Sequence, residues 1–67
     1  MYSITSTGFV ETNNKLEPIR KRALKLVKQR KTATIYKDGN EIGWVGEDLS
    51  QRLGWACWIN SQCYTNE

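Results

Sequence analysis

Apolar and polar positions along the 67-residue chain change period several times, and each change marks an element. Residues Tyr2 to Val10 alternate loosely, with Tyr2, Ile4, Phe9 and Val10 set among Ser and Thr, the pattern of a half-exposed strand that Gly8 bends or ends. Glu11 to Asn14 is polar and reads as a turn, with Asn14 and Glu17 at the spacing of a helix-capping pair. Pro18 fits best at the first helical position, which moves the expected start to Pro18 and leaves Lys15 to Glu17 as its lead-in. From there Leu16, Ile19, Ala23, Leu26 and Val27 recur at steps of three and four and form one apolar stripe. Lys21, Arg22, Lys25 and Lys28 fall on the opposite side.

Thr32 to Val45 predicts a hairpin turned at Asp38-Gly39, a dipeptide that accepts the left-handed backbone such a turn needs. A two-residue turn pairs Lys37 with Asn40, Tyr36 with Glu41, Ile35 with Ile42 and Ala33 with Trp44. That register places Ile35, Ile42, Ala33 and Trp44 on one face and Thr34, Tyr36, Glu41 and Val45 on the other. Glu47 to Gly54 reads as one or two helical turns, with acids at the start and a capping glycine at the end. In Trp55 to Ile59 both alternating sets, Trp55, Cys57 and Ile59 against Ala56 and Trp58, are apolar, as in an internal strand or one that meets a partner. Asn60 to Glu67 is largely polar and is expected to fray. The whole predicts one α+β domain over residues 1–67, an antiparallel sheet of three to four strands with one amphipathic helix across one face. The order is βαββ, followed by a short second helix and a last strand.

Charge changes this picture. Eight of the ten Lys and Arg residues lie between Lys15 and Lys31, which carries +7, whereas residues 32–67 carry −3, so the overall +3 hides a dipole. A localised positive face attracts polyanions and acidic protein surfaces more than the net value suggests. Catalysis is not expected: the chain has no histidine to act as base, no motif pairs two carboxylates, and Gly39, Gly43 and Gly46 do not form a phosphate loop. Two cysteines without histidine fall short of a structural zinc site, so neither metal nor other cofactor is expected. Met-Tyr-Ser-Ile lacks the basic start and apolar run of a signal peptide, and no stretch has the length of a membrane span, which predicts a cytosolic protein with Cys57 and Cys63 as thiols.

What remains is binding. The expected contact residues are Arg20, Lys21, Arg22, Lys25 and Lys28 on the helix back, supported by the aromatic side chains Tyr36 and Trp58. Their expected partner is a protein or protein complex with an acidic surface. The alternative is direct nucleic-acid binding by the same residues, with cations on phosphates and rings as stacking surfaces. The stretch Arg22-Ala-Leu-Lys-Leu-Val-Lys28 followed by Ala33-Thr-Ile-Tyr-Lys-Asp-Gly-Asn-Glu-Ile-Gly-Trp44 resembles small accessory proteins of tailed bacteriophages, in which a strand leads to a basic helix and then to a hairpin turned at Asp-Gly. The resemblance covers the middle third of the chain. It implies a phage-derived inhibitor or regulator that binds a host factor in the bacterial cytosol.

Overall fold

A computed structural model of the chain describes residues 1–48 and 54–64. Its elements run β1 (Tyr2–Ser6), β2 (Phe9–Asn13), α1 (Leu16–Gln29), β3 (Ala33–Lys37), β4 (Asn40–Asp48), β5 (Gly54–Ile59) and β6 (Gln62–Tyr64). The class is α+β as expected, but the sheet has six strands rather than three to four, in the order β2-β1-β3-β4-β5-β6 with every neighbouring pair antiparallel. One added strand is β2. Thr7 and Gly8 turn the chain, with Gly8 at φ 92°, so Glu11 to Asn13 pairs along β1 instead of forming a turn. The other is β6, which folds back on β5 through Asn60 and Ser61, both in left-handed backbone at φ 49° and 68°. β5, which covers the predicted last strand Trp55 to Ile59, is therefore internal in the sheet, one of the two placements expected from its two apolar faces.

Helix α1 begins at Leu16, two residues before Pro18. Proline is tolerated in this first turn because the first four helical N–H groups have no partner within the helix. The Asn14–Glu17 capping pair does not form: Lys15 occupies the cap without a side-chain bond, and its N–H donates to Asn13 Oδ1 at 2.9 Å. At the other end Arg30 turns left-handed (φ 58°, ψ 48°). The N–H groups of Lys31 and Arg30 then reach the carbonyls of Leu26 and Val27 at 3.0 and 3.1 Å, which satisfies two terminal acceptors.

The apolar stripe of α1 lies on one sheet face. Ile19, Ala23, Leu26 and Val27 are buried against Ile4, Ala33, Ile35, Val45, Cys57 and Ile59, with Leu16 packed at the margin. The connection β2-α1-β3 carries the chain over β1, which lies between two strands parallel to each other.

The hairpin register differs from expectation beyond its first two pairs. Lys37 and Tyr36 pair with Asn40 and Glu41 as predicted, but Ile42 is an extra residue. Ile35 then faces Gly43, Thr34 faces Trp44 and Ala33 faces Val45. A bulge of this kind reverses which side every later residue points to. Val45 thus enters the core and Trp44 moves to the face without a helix, the reverse of the predicted assignment. Gly43 is required at this place because a Cβ there would come within 2.0 Å of the Trp58 carbonyl oxygen. Glu47 and Asp48 belong to β4 and not to a second helix, while the rest of that predicted helix, residues 49–53, lies outside the described residues.

Candidate functional site

The predicted contact residues divide between two opposite surfaces. Arg20, Lys21, Arg22, Lys25 and Lys28 all lie on α1, whereas Tyr36 and Trp58 lie on the far side of the sheet, both half-buried. A single flat partner surface cannot touch both sets.

On the helix the cations are not equivalent. Arg20 is held by Glu17 one turn away: its Nε donates to Glu17 Oε2 at 3.1 Å, and its guanidinium pairs with the other oxygen. The same guanidinium stacks 5.5 Å from the centre of the Tyr64 ring. This pairing lowers the Glu17 carboxyl below its ordinary value and raises the Arg20 guanidinium. Arg22 reaches across to β2, donating from Nε to Glu11 Oε1 at 2.8 Å and lying 5.9 Å from the centre of the Phe9 ring. Both arginines thereby tie the helix to the sheet margins. Lys21, Lys25 and Lys28 are exposed and have no ion-pair partner among the described residues. Lys21 and Lys25 line a shallow depression with Glu11, Pro18 and Arg22.

On the open face Trp44 and Trp58 pair across β4 and β5, their rings stacked at 6.5 Å between centroids and 26° between planes. Trp44 leans over Gly46, where a Cβ would sit 3.5 Å from its ring. It is 37% exposed, unusual for tryptophan at the middle of a strand. A second shallow depression beside the pair is lined by Glu41, Ile42, Gly43, Trp44, Trp58 and Ser61. Trp44 was missing from the predicted contact set because the bulge that turns it outward has no signature beyond the glycine at position 43.

Cys57 and Cys63 lie on adjacent strands with side chains on opposite faces of the sheet, Cys57 buried under α1 and Cys63 exposed. Burial pushes the Cys57 thiol up to about 12, which makes it a poor nucleophile. Asp38, at the hairpin tip, is paired with the Met1 ammonium, which lowers its carboxyl. Among the described residues no three His, Cys, Asp or Glu side chains are grouped to hold a metal ion. No described helix is long and apolar enough to cross a membrane. Comparison of the chain with protein-family models, curated proteins and solved structures finds no match.

Proposed function

We propose that this chain is a non-catalytic binding protein that docks through the back of α1 on an acidic surface of a larger partner. The bacteriophage resemblance makes that partner a host complex, and the role that of inhibitor or regulator. One observation carries the reading: Lys21, Lys25 and Lys28 are exposed along one helix face with no neutralising carboxylate among the described residues, while both nearby acids, Glu11 and Glu17, are engaged by arginines. Three such cations on a rigid rod steer an acidic surface toward the helix and orient it on arrival.

Nucleic acid is the second reading, since the same lysines complement phosphates. The geometry supports it less, because a strand held by α1 lies a full layer away from the Trp44 and Trp58 rings and cannot stack its bases on them.

The test is the triple variant Lys21→Glu, Lys25→Glu, Lys28→Glu beside the unchanged chain. Thermal unfolding is expected to match. A partner captured from bacterial lysate by the unchanged chain is expected to be lost to the variant. Retention of that partner by the variant removes the helix from the interface. Short oligonucleotides titrated at low salt decide the second reading: steeply salt-dependent binding that the variant loses assigns the helix to nucleic acid.

A further inference from the structure

The open sheet face has an order that neither reading of the helix uses. Across six strands one row runs Val10, Thr5, Thr34, Trp44, Trp58, Cys63, with threonine on β1 and β3 and tryptophan on β4 and β5. The row beside it runs Thr12, Ser3, Tyr36, Glu41, and Glu41 is the one charged side chain in the two rows. The change from threonine to tryptophan falls between β3 and β4, the midline of the sheet.

We infer that this face binds a second copy of the chain, the two sheets packing face to face about a two-fold axis that runs along the strands between β3 and β4. That rotation keeps each row at its own level and exchanges left for right. Trp44 then meets Thr34 of the second copy, and Trp58 meets Thr5 of the second copy. Each ring enters the space left by a threonine, and each contact occurs twice, as a closed two-fold interface demands. In the neighbouring row the Tyr36 hydroxyl faces Glu41 of the second copy and can donate to its carboxylate, so the single charge in these rows gains a partner.

Charge and size agree with this occupant. Two copies meeting through their helices would oppose one +7 segment to another, whereas the open faces meet almost without charge and leave both helices on the outside. The molecule measures 31 × 24 × 18 Å. The two longer extents bound the projection of the sheet face at about 700 Å², so an interface of standard size, roughly 800 Å² of accessible surface per partner, takes essentially the whole face. A pair of this kind presents two lysine rows pointing in opposite directions.

Sedimentation equilibrium of the full chain from micromolar to millimolar concentration is the experiment. The expected result is a mass of twice 7.8 kDa at the upper end. Thr34→Arg, which puts a cation where the second copy's Trp44 ring belongs, is expected to weaken association about 100-fold. Tyr36→Phe is expected to weaken it about 10-fold through two lost hydrogen bonds. Thr5→Arg, at an exposed position, carries the same test should Thr34→Arg fail to fold, with far-ultraviolet circular dichroism as the check. The triple lysine reversal is expected to leave the mass unchanged, so loss of the acidic partner and loss of the dimer are separate results. A monomer at every concentration overturns the inference. So does a dimer indifferent to both arginine variants, or tryptophan emission from a monomer that responds only to an oligonucleotide or a different protein.

Discussion

The covered and open faces of this sheet are built by the same strands and differ in almost every property. Under α1 the side chains are apolar and close to fully buried, with Ile4, Ile35 and Cys57 at 0% exposure. On the other side, residues one step along the same strands are Thr5, Thr34 and Trp58, hydroxyls and rings with solvent access. A single helix cannot cover both sides, so the aliphatic core lies on one face, while on the other Ala56 is fully buried beside the tryptophan pair and Thr5 and Trp44 stay exposed. The cations form a third surface on the outside of the helix, separated from the rings by the whole thickness of the core.

The sharpest way to break the contrast is at the bulge that creates it. Gly43→Ala drives a methyl group into the Trp58 carbonyl and forces β4 away from β5. A loss of about 3 kcal/mol or more is expected in urea unfolding, and a midpoint near that of the unchanged chain would refute the close approach. Next come neighbours on opposite faces, compared at concentrations low enough to keep the chain monomeric. Ile35→Ala is expected to cost about 2–5 kcal/mol and Thr34→Ala under about 0.5 kcal/mol. Equal losses would mean that the open face is as heavily packed as the core.

The cysteines sharpen the same comparison by chemistry. Iodoacetamide near neutral pH is expected to label Cys63 and spare Cys57, with mass spectrometry as the readout. The folded Cys57 thiol ionises at about 12, against roughly 8.5 in the unfolded chain. Between those values the unfolded chain has lost a proton that the fold retains, so stability falls as pH rises through that window. Cys57→Ala is expected to remove that slope from the pH dependence of unfolding, and an unchanged slope would assign it to other groups. The smallest effect separates cations on one helix. Arg22→Ala, which loses both Glu11 and the Phe9 ring, is expected to cost about 0.5–1 kcal/mol, and Lys25→Ala close to none.

Sequence showed the parts whose information is local. The stripe from Leu16 to Val27, the Asp38-Gly39 turn and the alternation of Trp55 to Ile59 each repeat at the period of the element they form, and each is present. The missed strands depend on neighbours. Pattern alone places Phe9 and Val10 with the first strand, Glu11 to Asn14 in a turn and Gln62 to Tyr64 in a fraying end. These short edge segments become separate strands because β1 and β5 offer them a ladder. The bulge at Ile42 is invisible to a counting rule, yet it decides where Trp44 points. Among the candidate contacts, the five cations on one rod could be read from spacing. The Arg22–Glu11 pair could not, because it joins residues from different elements. Nor could the separation of Tyr36 and Trp58 from the helix, which depends on which face α1 covers.

The strand order also sets a timetable for assembly. Strands β3 to β6 follow one another as a meander, so each can pair as soon as it leaves the ribosome. β1 emerges first but must wait for β3, its partner on the far side of α1. Until then the N-terminal hairpin has a bare edge and a helix with no finished floor beneath it. β3 supplies only part of that floor, because Val45, Cys57 and Ile59 of β4 and β5 also lie under α1. Nascent chains stalled before Ile59 emerges should therefore be open to protease, and protection should arrive with β5.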